Sequence, residues 1–370
     1  MRTDALDFHL PDDRIAVAPA DPRDSARLLV CDRQTGEARD HHVRDLPALG
    51  VLAPGDVMAV NRTRVAPARF CATRQGTGGK VEGLYLGPQR GVGQAGVDKL
   101  LCHSGGRLVV GDVLTLSEGG AWRLERKADN GGWLATFLAP PEHPSMTAFE
   151  ALARVGQAPL PPYILKARKA RGLAEDRAED AERYNTVYAG HDEVDAGSAA
   201  APTAGLHFTP ELLEAIETAG VTRAEVVLQV GLGTFAPVRS DLLDDHPMHA
   251  EWFAASAEAL GHLRAAREAG GKVLAIGTTT VRALESLPDN WRALGDGYAG
   301  QTDLFIRPDT GFAFRFTDAL LTNFHLPRST LLAMVAALPG VGLDRLLGWY
   351  RLAIERGYRF YSFGDAMLIV

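Results

Sequence analysis

The sequence predicts an α/β protein interrupted by a smaller all-β unit, and three observations predict it. From residue 199 onward, apolar runs suited to buried strands alternate with segments whose apolar residues recur at helical spacing. Between residues 65 and 141 that rhythm gives way to short alternating runs parted by glycine-rich turns, the pattern of a small barrel. Residues 272–287 then hold both halves of an α/β unit. Val273 to Ile276 read as a strand buried on both faces, and Val281, Leu284 and Leu287 come after it at helical spacing, beyond Gly277 and three threonines. The expected organisation is a discontinuous large domain, 1–64 and 142–370, with a β-barrel domain at 65–141 inserted into it.

Composition bounds the function. A chain of 370 residues can hold two domains with full cores. No apolar run is long enough to span a bilayer, and the first residues lack the apolar stretch of a signal peptide. Cys31, Cys71 and Cys102 are scattered, which fits a reduced cytoplasm and argues against a cysteine zinc site. The net charge of −7 argues against general polyanion binding, but not against a local basic patch for one nucleic-acid partner. The expectation is a cytoplasmic monomer with no membrane contact.

Taken in order, a helical turn is expected after Asp12 and Asp13, then strands at 26–31 and 38–43 with Gly36 in the turn between them. Pro54-Gly55-Asp56 leads into a strand at 57–60. The barrel runs are 68–73, 80–86, 107–110, 113–116, 122–126 and 133–138. A helix at 147–155 comes next, and then a charge-crowded helical segment at 165–182, read as a solvated face. Thr209 caps a helix with Pro210 at its first position. A strand at 223–230 and a helix at 256–268 precede the 272–287 unit. A hairpin is expected from 303–306 and 312–316, then helices at 328–338 and 343–355 and a final strand at 367–370.

Four stretches can carry chemistry. The helix start after Gly277 offers unpaired backbone N–H groups and the positive end of a dipole, although an ordinary crossover with a threonine cap has the same pattern. Residues 230–236 match a dinucleotide fingerprint, but Pro237 falls where the helix interior should lie, so only a glycine loop permitting close ligand approach survives. His207 stands alone among small apolar residues ahead of the capped helix. His246 and His249 lie just ahead of Glu251; a metal site is disfavoured, because the cysteine pair completing a zinc deaminase signature is absent, and general acid–base work is favoured. Asn323 and His325 end an apolar strand before Ser329, a helix cap. Three polar strand-to-helix junctions imply one shared cleft at the carboxyl ends of the strands.

These residues carry a resemblance. Asp24 to Leu29, Val60 to Val65, Ala200 to Thr209, Val230 to Val238, His249 to Trp252, Ile276 to Ser286, Thr302 to Ile306, Asp318 to Leu332 and Tyr358 to Ile369 resemble the S-adenosylmethionine:tRNA ribosyltransferase-isomerase family of queuosine biosynthesis. The resemblance implies a large mixed β-sheet in the α/β domain with a small barrel inserted. It implies S-adenosylmethionine as co-substrate, with no cofactor and no metal. The ribosyl part goes to 7-aminomethyl-7-deazaguanine at the wobble position of a tRNA anticodon, giving epoxyqueuosine-tRNA, adenine and methionine. The sulfonium acidifies the adjacent 5′-carbon, so His249, Glu251 and His207 become the catalytic candidates, with base and acid unassigned among them. Thr203, Gly231, Gly233, Thr234, Thr278, Thr279, Arg282, Asn323 and His325 are expected to hold the donor, and Arg62, Arg64 and Arg69 the tRNA phosphates.

The chain departs from the family pattern at Gln229, where histidine is usual, at Phe253, where tyrosine is usual, and at Cys102-His103 in the barrel, where lysine and proline are common. The first removes one titratable group, and the last weakens any tRNA contact assigned there. A tRNA methyltransferase using the same donor and a tRNA-binding protein without catalysis are the alternatives.

Overall fold

The computed structural model describes residues 1–88, 96–128, 131–191, 196–231 and 238–370. In chain order the strands are β1 Arg27–Cys31, β2 Ala38–His42, β3 Val57–Asn61, β4 Arg64–Val65, β5 Arg69–Arg74, β6 Lys80–Pro88, β7 Val97–Ser104, β8 Val113–Leu116, β9 Ala121–Lys127 and β10 Trp133–Leu138. The second part adds β11 Ala196–Ser198, β12 Thr222–Leu228, β13 Glu251–Ala255, β14 Val273–Ile276, β15 Tyr298–Thr302, β16 Ala319–Asn323 and β17 Ala366–Ile369. The helices are α1 Ala148–Val155, α2 Pro162–Ala170, α3 Asp180–Arg183, α4 Pro210–Thr218, α5 Ala257–Glu268, α6 Thr278–Glu285, α7 Thr330–Ala336 and α8 Leu343–Glu355.

Nine strands form one mixed sheet in the order β15-β13-β12-β3-β14-β16-β17-β1-β2. Its centre, β12, β3, β14 and β16, is parallel, whereas β13 runs antiparallel to β12 and β17 antiparallel to β16. β3, β14, β16 and β17 are buried along their whole length, as continuous apolar runs predict for strands covered on both faces. Alternation assigns the faces. Met58, Val60, Leu274 and Ile276 pack with Leu212 and Ile216 of α4, while Val57, Ala59 and Val273 pack with Leu260 and Leu263 of α5. Ala275, Leu320 and Met367 on that second face pack with α7 and α8.

β10, β7, β6, β5, β8 and β9 close into a six-stranded barrel. Its centre stacks Phe70 on Trp122 with ring centroids 4.7 Å apart. Gly83 is required beneath the Phe70 ring, because a Cβ at that position would overlap the ring tip. The buried Asp98 accepts from the Trp122 indole (2.9 Å) and the Tyr85 hydroxyl (3.3 Å), and burial raises its pKa. Met146, Ala148, Ala151 and Leu152, on and before α1, share this barrel core.

Three expectations and one alternative reading need correction. Residues 107–110 form no strand, and Val109 and Val110 are exposed; the sixth barrel strand is β7, whose Asp98, Lys99 and His103 hid its apolar alternation. The hairpin from 303–306 and 312–316 is absent. Ile306 inserts into the core and Phe312 meets Phe314 edge to face, so these apolar residues pack as side chains, and the edge strand is the glycine-containing β15. The 165–182 segment is not wholly solvated. Arg168, fully buried, pairs with Asp180 and donates to the Val17 and Glu175 carbonyls. Lastly, no threonine caps α6: Gly277 is its N-cap at φ 86°, and Thr278, Thr279 and Thr280 form its first turn.

Candidate active site

Topology brings the polar junctions to one edge of the sheet. The parallel strands β3, β12, β14 and β16 end at Asn61, Leu228, Ile276 and Asn323, so the chain leaves all four at the same edge. The antiparallel β13 begins there with Glu251, paired in register with Thr302 at the end of β15. β17 also begins there, with Ala366 opposite Asn323, which places Tyr361 to Asp365 just outside the edge.

Two clefts open along this edge. The first is lined by Thr203, Thr278, Thr279, Asn323 and His325, with Tyr163, Tyr361 and Ser362 completing its wall. The second is lined by His246, His249, Glu251 and Arg282, with Phe305 and Met334. Leu331, in the first turn of α7, lines both, so the single expected pocket is two adjoining ones. Ser329 fixes that turn: its hydroxyl accepts from the Leu332 N–H (3.2 Å) and donates to the Leu326 carbonyl (2.7 Å).

In the first cleft the polar side chains are aimed by their neighbours. The Asn323 amide donates to the Tyr361 carbonyl (3.1 Å) and meets His207 Nε2 at 3.2 Å, while its oxygen accepts from the Thr203 hydroxyl (3.1 Å). Thr279 accepts from the Asn61 amide (3.2 Å), which also donates to the Leu228 carbonyl; the Asn61 oxygen takes the N–H groups of Leu228 and Thr63. One buried asparagine therefore ties the ends of β3 and β12 to the start of α6. The Thr322 hydroxyl lies 2.9 Å from His325 Nε2. Burial, above all, lowers the His207 pKa to about 4 and the His325 pKa to about 3, so both imidazoles are neutral near pH 7.

His207 lines neither cleft. It sits behind Asn323 and orients it, a support role the lone histidine in the sequence did not reveal. In the second cleft, Glu251 takes the Arg282 guanidinium on one carboxylate oxygen and the Gly231 N–H (2.6 Å) on the other. Arg282 also donates to the Leu304 (3.2 Å) and Thr302 (3.4 Å) carbonyls. That buried pair joins α6 to β13 and holds Gly231 close. His249, by contrast, is exposed on the lining of this cleft. Gly233 and Thr234 lie outside the described residues.

The three arginines expected at tRNA phosphates are half-buried and engaged within the chain. Arg62 is 3.7 Å from Glu225, Arg64 lies over the Phe149 ring at 5.1 Å, and Arg69 pairs with Asp176. Sequence reasoning missed Tyr163, Tyr361 and Ser362 as lining residues and Asn61 as the brace of Thr279. All but Tyr163 lie within segments that carried the family resemblance, yet nothing local marked them as facing a cleft. No group of His, Cys, Asp and Glu suited to a metal occurs among the described residues.

A family described as queuosine biosynthesis protein matches residues 3–369. Similar proteins named S-adenosylmethionine:tRNA ribosyltransferase-isomerase include those of Rubrobacter xylanophilus, 45% identical with 100% of this chain and 98% of the relative covered, and Moorella thermoacetica, 44% identical with 100% of both chains covered. That of Desulfitobacterium hafniense is 42% identical, again over 100% of both chains. The crystal structure of S-adenosylmethionine tRNA ribosyltransferase from Thermotoga maritima is similar with a TM-score of 0.52 at 32% identity, covering 99% of this chain and 100% of the other.

Proposed function

The chain belongs to the queuosine biosynthesis protein family, and on that premise we propose that it is a transferase moving the ribosyl part of S-adenosylmethionine onto 7-aminomethyl-7-deazaguanine in a tRNA anticodon. The product is epoxyqueuosine-tRNA, with adenine and methionine released. The observation that carries this reading is the pair of adjoining clefts at one sheet edge, joined through Leu331, in a chain whose relatives match it end to end.

The threonine hydroxyls and Asn323 of the first cleft suit the hydroxyls and carboxylate of the donor, and the start of α6 suits its negative end. The second cleft supplies proton transfer. Glu251 is buried between Arg282 and the Gly231 N–H, whereas His249 is exposed to the cleft. His249 is therefore the group that removes the proton from the 5′-carbon, with the Glu251–Arg282 pair fixing the wall beside it. In the same reading the barrel, within residues 65–141, is an insertion in the catalytic domain formed by 1–64 and 142–370. The setting in this reading is cytoplasmic, as a tRNA-modifying family implies.

Incubation with S-adenosylmethionine and tRNA bearing the aminomethyl base, with chromatography of the small products, tests the proposal. Adenine and methionine are the expected products. Accumulation of S-adenosylhomocysteine would instead identify a methyltransferase, and unreacted donor with bound tRNA a binding protein.

A further inference from the structure

A shallow groove opens beside the first cleft, and none of the roles assigned so far uses its arginines. It is lined by Arg239, Arg328, Leu326 and Tyr361, with Val238, Pro327 and Asp7 at its rim. Leu326 and Tyr361 also line the first cleft, so the two openings share a wall. Arg239 is exposed and Arg328 half-buried, and the Arg328 Nε is shielded from solvent with no hydrogen-bond partner among the described residues. Neither guanidinium is held in an ion pair among the described residues. Asp7 is the one carboxylate in the lining among the described residues. Asp4 lies within reach of the Arg328 charge, but Arg2 binds it and is the main cause of its lowered pKa.

The backbone of this groove is unusual. Arg328 at φ 56° and Tyr361 at φ 72° are the two non-glycine residues in the left-handed region among those described, and both line it. Each conformation is held from both sides. The Arg328 N–H donates to the Leu6 carbonyl (3.0 Å), and its own carbonyl accepts from Val238 (2.8 Å). The Tyr361 N–H donates to the Phe324 carbonyl (3.1 Å), and its carbonyl accepts from the Asn323 amide (3.1 Å). Such conformations cost free energy and persist where the surroundings over-determine them, a pattern that clusters at ligand sites. Here the strain places one arginine in the same groove as a second and ties the groove wall to the asparagine of the first cleft.

We infer that Arg239 and Arg328 form an anion subsite taking a backbone phosphate of the RNA strand whose base enters the adjoining cleft. The inference rests on the transferase reading and extends it to the strand's path. Two guanidiniums against one carboxylate supply local positive charge on a chain with net charge −7, and planar, always-charged guanidinium groups suit phosphate oxygens. The carboxylate of the donor's methionyl group shares this anionic chemistry, so the test separates the two.

Affinity for unmodified tRNA transcript is measured against salt for the wild type, Arg239→Gln and the double variant Arg239→Gln/Arg328→Gln, with donor affinity measured without tRNA. Loss of one phosphate contact removes ~0.7–0.9 from the log–log salt slope. The slope should flatten by about that amount in the single variant and by more in the double, with donor affinity unchanged and Arg239→Lys retaining most of the slope. An unchanged slope in Arg239→Gln, an exposed position where folding is not at risk, overturns the subsite. So does weakened donor binding with the slope intact, which gives the pair to the donor's carboxylate. Failure of the wild type to release adenine defeats the transferase reading instead, and the salt slope still reports on the groove.

Discussion

At the scale of single residues, the proposed active site divides into groups that act and groups that hold. Glu251, Arg282, Asn323 and His207 are bonded to one another or to backbone, and their value lies in fixed position. His249 stands apart, exposed on the wall of the second cleft. We expect His249→Ala to lower turnover by more than about tenfold, a threshold set below the roughly hundred- to ten-thousand-fold typical of a general acid–base group, while donor affinity measured by calorimetry stays near wild type. Retained turnover would move the proton-transfer role to Glu251, whose carboxylate lines the same cleft.

At the scale of elements, the junction between β14 and α6 is the most tightly specified piece of the site. β14 is buried throughout, and the chain must then turn within one residue to start α6 beside the ends of β3 and β12. Gly277 does so at φ 86°, ψ 153°, a conformation open essentially to glycine, so the backbone and not the space beside it sets the requirement. Gly277→Ala should cost about 1–3 kcal/mol of stability, read as a lower urea midpoint, and should raise the KM for the donor because Thr278 and Thr279 shift with the turn. An unaltered KM would mean that the first turn of α6 does not contact the donor.

At the scale of the whole molecule, two buried neutral histidines tie stability to pH. Burial holds His207 near about 4 and His325 near about 3, both below the ordinary 6.5. The unfolded chain binds those protons first, so the stabilisation is complete above pH 6.5 and is lost as pH falls toward 4. For His207 the gap corresponds to about 3 kcal/mol. Urea midpoints measured at pH 7.5 and pH 5 should therefore fall with acidification, and His207→Gln, which keeps an acceptor for Asn323, should flatten that fall. An identical pH dependence in the variant would show that His207 carries a proton in the folded state.

By itself the sequence determined the buried strands and most of the helices, because a run such as 273–276 or 343–355 satisfies its own periodicity and needs no distant partner to be recognised. It also placed the polar junctions after β14 and β16, since a small or hydroxylated residue between an apolar strand and an apolar helix is a local signal. It erred where local pattern and backbone pairing part company. The apolar residues of 303–316 serve the core as side chains, and the weakly apolar β15 takes the sheet edge. Only the tertiary structure decided that His207 supports Asn323, that Glu251 is bound to Arg282 and that the expected pocket is two clefts meeting at Leu331. The two bonded pairs join residues 116 and 31 positions apart, and no local periodicity encodes which distant side chain will fill a given hydrogen bond.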